Sequence, residues 1–164
     1  MPPGTAVKSV TGDSASSRSS AAWPMATDRG CSEGFSTEGK KVALIGHLVL
    51  QPDALKGASE VYIIERDPKP GDYPDSACEY ILPESDIVIM TASAAINKTL
   101  PRLLELSKNA VSIIIGPTTP LCPELKALGI DRLSGMVVRD KAAFEAWATA
   151  SHGSPYKHGD VFMI

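Results

Sequence analysis

Four short apolar runs of this chain each end in residues that could bind a ligand, because they carry an imidazole, a charge or a hydroxyl group, or leave the backbone accessible. In chain order these residues are Gly46, His47, Glu65, Arg66, Thr91, Ser93, Gly116, Pro117 and Thr118. Ligands of open α/β sheets bind outside the carboxyl ends of the strands. We therefore expect these residues to meet at one edge of a sheet.

The apolar runs predict the strands that must position these residues, because a continuous apolar run is typical of a strand buried on both faces. The predicted strands are 42–46, 61–65, 86–91, 111–116 and, with a weaker pattern, 133–138. The predicted helices are 52–57, 75–82, a helix within 96–106 that begins near Thr99, 123–128 and 141–150. This alternation predicts an α/β fold, a Rossmann-like three-layer sandwich with a mostly parallel five-stranded sheet in the order 3-2-1-4-5.

Composition divides the chain into three segments. Residues 1–39 are rich in Ser, Thr, Gly, Pro and Ala without apolar periodicity, which predicts disorder; a mitochondrial presequence is the alternative. Residues 40–150 contain the predicted α/β domain. Residues 151–164 form a tail in which 161–164 could add a terminal strand.

Charge and cysteine content exclude several classes of partner. The net charge of −3 and the pI near 5.6 give no basic patch for nucleic acid and no polybasic segment for a membrane surface. The apolar runs are too short to span a membrane. Three cysteines without a CxxC pair argue against a disulfide framework and favour a reducing compartment. We therefore predict that the protein is located in the cytoplasm.

Gly46 and Glu65 allow two interpretations. A glycine that ends one strand and an acid 19 residues later, at the end of the next, are similar to the ribose-binding arrangement of nucleotide sites. The full G-x-G-x-x-G pattern is absent, however, since His47 and bulky aliphatic residues follow Gly46. In the alternative, Gly46 only ends a strand and Glu65 pairs with a nearby base such as Arg66.

The sequence also allows two interpretations of His47 and of the helix predicted at 75–82, one of them metal or acid–base chemistry. His47 could ligate a metal ion or transfer protons, or it could be an ordinary polar loop residue. Asp75, Cys78 and Glu79 could offer oxygen and sulfur ligands, although their spacing matches no zinc pattern. Alternatively, Asp75 caps the helix that it precedes.

Residues with hydroxyl and amide side chains lie between the third predicted strand and the start of the best predicted helix. Ser93, Asn97 and Thr99 could cap this helix. They could also hold a carboxylate or phosphate, because helix N-termini attract anions. The two roles are compatible, and the sequence does not separate them.

Five blocks of sequence resemble one known family: 39–47, 65–77, 82–89, 96–100 and 116–121. They are similar to the C-terminal Rossmann-like domain of the putative heavy-metal chelation family, first defined as a domain of unknown function. The resemblance implies a cleft lined or supported by Gly46, His47, Glu65, Arg66, Asp72, Asp75, Ser93, Asn97, Gly116 and Thr118. The metal ligands predicted with it are His47, Glu65, Asp72 and Asp75.

The family is two-part, with a small N-terminal domain similar to the enolase N-terminal fold, and the resemblance places the site between the two domains. Only the 39 residues predicted to be disordered stand before the predicted domain here. A site that needs both domains is therefore incomplete unless a partner chain or a second copy supplies the other wall of the cleft.

Three functions follow as hypotheses. The first is heavy-metal chelation, or binding of a metal ion or small ligand, at the carboxyl edge of the sheet. The second is an enzyme with a nucleotide-type cofactor, S-adenosylmethionine or NAD. The third is an interaction module without an active site. We expect a heavy-metal ion before a nucleotide cofactor, a small molecule or metal as partner, and neither nucleic acid nor membrane.

Overall fold

The computed structural model describes residues 36–48, 50, 54–150 and 154–164. Within these ranges a seven-stranded sheet has the order β3-β2-β1-β4-β5-β6-β7. The strands are β1 Lys41–Ile45, β2 Glu60–Glu65, β3 Tyr73–Pro74, β4 Ile87–Thr91, β5 Val111–Ile115, β6 Arg132–Val138 and β7 Gly159–Met163. The α-helices are α1 Cys78–Ile81, α2 Ser93–Ile96, α3 Leu100–Leu106 and α4 Lys141–Ala150.

All five predicted strands are present, with ends that differ by at most one residue. The mixed α/β, Rossmann-like fold class is confirmed, and the sheet has seven strands where five were predicted. The two further strands extend the edges. β3 pairs with β2 in parallel, and β7, from the C-terminal tail, pairs with β6 antiparallel.

The position of β4 contradicts the predicted strand order. The prediction places this strand at the outer edge, beside the strand at 61–65. In the structure β4 lies in the centre of the sheet, paired with β1 on one side and β5 on the other. The physical reason is burial: Ile87 to Met90 are each at most 3% exposed, and only a central position covers both sides of such a strand. The edge beside β2 is occupied instead by Tyr73–Pro74, in a segment predicted as loop.

Two apolar layers cover the faces of the sheet. On one face, Ala43, Val88 and Ile114 pack in a layer that also contains Cys78, Leu82 and Leu103 of the helical segments. On the other face, the six buried residues Val42, Leu44, Ile87, Ile89, Ile113 and Ile115 pack against Leu48, Leu50, Leu55 and Tyr156, among others. Helices α1 and α3 therefore cover one face of the sheet, and a loop and the C-terminal tail cover the other face.

Most predicted helices are also present. The segment 75–84 is a 3-10 turn, α1 and a second 3-10 turn. α3 begins after Thr99 with Pro101 in its first turn, where proline is tolerated. The helix predicted at 123–128 is a 3-10 helix that ends at Gly129 in the left-handed conformation, and α4 has the predicted bounds.

Two predictions fall on parts of the chain that the structure does not describe. Of the helix predicted at 52–57, residues 52 and 53 lie outside the described residues, and 54–57 form a turn. Of the segment predicted to be disordered, residues 1–35 lie outside them as well. In the described residues, none of the helices has the length and apolar character needed to cross a membrane.

Candidate functional site

A cavity of about 520 Å³ opens at the carboxyl edge of the sheet, beside the ends of β1, β2 and β4. β1 has its sequence neighbour β2 on one side and β4 on the other. The chain thus switches direction across the sheet at β1, which is where ligands of open α/β sheets bind. The lining residues used below are Ile45, Gly46, His47, Ile64, Glu65, Arg66, Asp75, Cys78, Glu79, Ser93, Asn97, Lys98, Arg102, Leu103 and Leu106.

Gly46 allows the loop after β1 to turn closely over β4. Its φ of 95° lies in the left-handed region that glycine adopts at little cost. A Cβ atom at this position would lie 3.2 Å from Thr91 Cγ2, so a side chain would press against β4. The glycine therefore places His47 at the mouth of the cavity.

Glu65 holds the ends of β1 and β2 together. Its Oε1 accepts a hydrogen bond of 2.6 Å from the backbone N–H of His47, and its Oε2 accepts one of 3.1 Å from the backbone N–H of Arg66. Glu65 thus contacts Arg66 at its backbone N–H, and no ion pair between the two side chains is present among the described residues. Arg66 lines the cavity, and its guanidinium forms no ion pair among the described residues.

His47 contacts a residue of the loop that follows β2. His47 Nε2 lies 2.7 Å from Asp72 Oδ2, which also accepts a 2.7 Å hydrogen bond from the backbone N–H of Lys69. These two hydrogen bonds, with that from His47 the larger effect, lower the pKa of Asp72. The contact fastens the proline-rich loop before β3 to the loop after β1.

The four predicted metal ligands do not surround one point. His47 and Asp72 form a hydrogen bond, Glu65 accepts hydrogen bonds from backbone N–H groups, and Asp75 lines the cavity. In the described ranges no three His, Cys, Asp or Glu side chains are arranged to hold a metal ion. A metal ion at this site would therefore need further ligands from a bound molecule.

Cys78 lies buried in the wall of the cavity. Burial, with smaller contributions from Asp75 and Glu79, raises the pKa of its thiol to about 11. The residue is therefore a neutral thiol at physiological pH, and a metal ion would have to displace its proton to bind sulfur.

Arg102 is a lining residue that the sequence analysis missed. Its Nε donates to Glu79 Oε1 at 2.9 Å and its Nη1 to Glu105 Oε2 at 2.6 Å. The hydrogen bond from Arg102, helped by the charge of the guanidinium, lowers the pKa of Glu79. The pairing with Glu105, three residues along the same helix, has a sequence signal; the pairing with Glu79 joins two helices and has none.

The turn between α2 and α3 has an unusual backbone at Lys98. With its amide oriented to satisfy its neighbours, Asn97 donates to the carbonyls of Ser93 and Ala94, at 3.2 and 2.9 Å. Asn97 thus closes the end of α2 in addition to lining the cavity. Lys98 then has a φ of 65°, a conformation that costs an L-residue roughly 1–2 kcal/mol. Lys98 lies within the sequence block 96–100 that resembles the family, but nothing in its residue type signals this geometry.

The loop after β5 lies on the opposite side of the carboxyl edge. Gly116 and Pro117 border a second, smaller cavity of about 200 Å³, which Tyr156 also lines. His47 and Thr91 border both cavities, whereas Thr118 is exposed and lines neither. The structure therefore brings together the predicted residues of β1, β2, β4 and the helices, and places those of the β5 loop across the sheet.

Comparison with known proteins identifies similar sequences and structures. The family model of DUF364, described as "Putative heavy-metal chelation", matches residues 35–160. An uncharacterized protein of Methanocaldococcus jannaschii is 32% identical over 108 residues, which cover 62% of this chain and 42% of that protein.

Two crystal structures of DUF364 proteins with unknown function are similar to this chain. The protein from Desulfitobacterium hafniense DCB-2 has a TM-score of 0.72 and 41% identity, over 78% of this chain and 53% of its own. The protein from Pyrococcus horikoshii has a TM-score of 0.68 and 29% identity, over 76% of this chain and 54% of its own. The chain thus spans about half the length of the relatives that it matches.

Proposed function

Because the chain belongs to the putative heavy-metal chelation family, we propose that it binds a small metal-chelating molecule, together with its metal ion, in the cavity at the carboxyl edge of the sheet. The observation that carries the proposal is the cavity itself. Its volume of about 520 Å³ is in the range of sites for organic molecules, roughly 300–1,000 Å³. A single ion would fill only a small part of it.

The lining suits an organic ligand. Ile45, Ile64, Leu103 and Leu106 contribute apolar side chains, and charged and polar groups lie among them. Apolar walls with a few placed polar groups are typical of small-molecule sites, where the apolar area gives affinity and the polar groups fix orientation.

His47 is the residue that we assign to the metal ion. Imidazole suits iron, nickel, copper and zinc, and a metal-bound histidine usually donates its other ring N–H to a carboxylate. Asp72 occupies Nε2 of His47, which leaves Nδ1 for the metal. Asp72 is then a positioning residue, and the chelating molecule supplies the ligands that the protein lacks.

Glu65 favours this proposal over a nucleotide-type cofactor. Both oxygens of its carboxylate already accept backbone N–H groups, so the acid at the ribose position has a structural role. The loop after β1 has one glycine, followed by His47 and Leu48, and offers no glycine-rich turn for a pyrophosphate.

Compartment and partners belong to the same proposal. We place the protein in the cytoplasm, where thiols stay reduced, and the free thiols of Cys78 and Cys122 support this. We also propose that a partner chain or a second copy completes the cavity. The support is that the cavity is open to the surface and not enclosed by the described residues.

Isothermal titration calorimetry tests the proposed function. Protein without a histidine tag is titrated with nickel chloride, with nitrilotriacetate and with the nickel–nitrilotriacetate complex. We expect the complex to bind more tightly than either component, and His47→Ala to weaken it at least about tenfold. His158→Ala is the control, because it removes an imidazole outside the cavity. Equal affinity for bare nickel and for the complex would contradict the proposal, as would an equal loss in the two variants.

A further inference from the structure

We propose that the molecule bound in the cavity is an organic anion, and that Lys98 and Arg66 bind its carboxylate or phosphate group. The inference rests on the proposed function, since it names the chemical class of the ligand at the same site. Two independent features support it: the charges that line the cavity and the backbone conformation of Lys98.

The charged groups of the lining leave cations available. Arg102 is neutralised by Glu79 and Glu105, and Glu65 is held by backbone N–H groups. Arg66 and Lys98 form no ion pair within the described residues.

Asp75 is then the remaining carboxylate among the lining residues named above, and it likewise has no ion pair in the described ranges. Arg66 and Lys98 are thus two cations of the lining that a carboxylate or phosphate of the ligand can pair with, because opposite charges attract strongly where water is partly excluded.

The backbone of Lys98 is an independent indication. Lys98 is the one residue other than glycine with positive φ among the described residues, and it lies in the wall of the cavity. Glycine would adopt this conformation at lower cost. Strained residues of this kind concentrate at ligand sites, where the side chain justifies the strain. The hydrogen bonds of Asn97 fix the turn, so the backbone of Lys98 is held in place at the wall of the cavity.

The two cations suit different parts of an anion. The guanidinium of Arg66 can donate two parallel hydrogen bonds to one carboxylate or phosphate, whereas the ammonium of Lys98 acts as a compact point charge. Molecules that chelate metals through carboxylates or phosphates carry several such groups. One group can therefore contact the protein while the others hold the metal beside His47.

The test compares two nickel complexes of opposite charge by titration calorimetry. Nickel–nitrilotriacetate is an anion and nickel–diethylenetriamine is a cation, and both leave coordination positions open for His47. We expect the anionic complex to bind at least about tenfold more tightly, with an affinity that falls as ionic strength rises. Lys98→Gly should lose about tenfold in affinity for the anionic complex, while its melting temperature stays equal or rises because the strain is relieved. That combination of lost affinity and retained stability would not be seen for a merely structural residue.

Three further variants keep the test decisive. Lys98→Arg should retain most of the affinity, Arg66→Ala should lose it, and Lys108→Ala, an exposed lysine outside the cavity, should change nothing. Equal binding of the two complexes by the unmodified protein, or full affinity in Lys98→Gly, would overturn the inference and leave the proposed function standing.

Failure of both nickel complexes would instead refute the proposed function. Metal-free nitrilotriacetate and inorganic phosphate then test the anion site alone. Binding that Lys98→Gly abolishes would support the inference, and no binding would overturn it.

Discussion

Glu65 accepts backbone hydrogen bonds at the ends of two neighbouring strands, and this role is visible only in part from the sequence. Parallel neighbours end at the same edge, so the proximity of His47 and Glu65 could be predicted. The sequence could not predict which N–H groups donate to this carboxylate, because the turn at Gly46 sets the direction of the His47 N–H group.

Replacing Glu65 by glutamine tests this role. The amide keeps one acceptor oxygen, so one of the two N–H groups loses its partner. We expect the free energy of unfolding to fall by about 1–2 kcal/mol, as measured by urea denaturation at neutral pH. Glu84→Gln serves as the control, because this carboxylate is exposed and lies outside the cavity. An unchanged stability in Glu65→Gln would show that the two hydrogen bonds contribute nothing.

The thiol of Cys78 has a raised pKa, which gives a prediction for alkaline pH. A thiol whose pKa is higher in the folded than in the unfolded state stabilises the fold fully below the unfolded pKa, and this contribution is lost as the pH rises through the folded value. The unfolded value is about 9 and the folded value about 11.

We therefore expect the free energy of unfolding to decline between pH 9 and 11 and to decline less in Cys78→Ala. The measurement is chemical denaturation across this pH range. Identical declines in the two proteins would mean that Cys78 ionises as readily in the folded state as in the unfolded one.

Other contacts of the site have no sequence signal. His47 and Asp72 are 25 residues apart, and their contact depends on the path of the loop between β2 and β3. Arg102 and Glu79 are 23 residues apart and meet only after α1 and α3 have packed on the sheet. Side chains brought together by tertiary packing lie beyond what spacing along the chain can predict.

At the level of the elements, hydrophobic patterning was sufficient for the central strands and insufficient for their arrangement. Apart from Lys41, Thr91 and Ser112, the central strands β1, β4 and β5 are apolar, so their bounds follow from the sequence to within one residue. β3 has two exposed residues and therefore no apolar run. The order of the strands depends on where each connection places the next strand in the sheet. The hydrophobic pattern of a strand shows that the strand is buried, but it does not show which strands lie beside it.

Gly135 in β6 tests how tightly the elements pack. A Cβ atom there would lie 2.5 Å from the carbonyl oxygen of Thr119, a backbone atom that cannot move aside easily. We expect Gly135→Ala to lower the free energy of unfolding by about 2 kcal/mol or more, as overpacking does, and to lower the melting temperature accordingly.

Gly129→Ala is the comparison for this variant. It meets no atom within 4 Å and incurs only the strain of its φ of 90°, about 1 kcal/mol. A smaller loss of unfolding free energy in Gly135→Ala than in Gly129→Ala would show that the loop that contains Thr119 moves to accommodate the added methyl group.

On the scale of the whole molecule, the described residues form one sheet with a cavity on each side of its carboxyl edge, and His47, Leu48 and Thr91 line both cavities. This arrangement follows from a strand order that switches direction at β1. The family could be identified from five short blocks of sequence, because these blocks contain the turns and strand ends that build the edge. The shape of the cavity could not be predicted from the sequence, since it depends on how the helices pack on the sheet.

Crystals of the protein soaked with nickel–nitrilotriacetate and measured at the nickel absorption edge give the most direct test of the central claim. We expect one strong anomalous peak within the larger cavity, adjacent to Nδ1 of His47, with density for the chelating molecule extending toward Lys98 and Arg66. Nickel bound elsewhere on the molecule, or a cavity that stays empty at saturating concentration, would contradict the claim that this cavity binds a metal-chelating molecule.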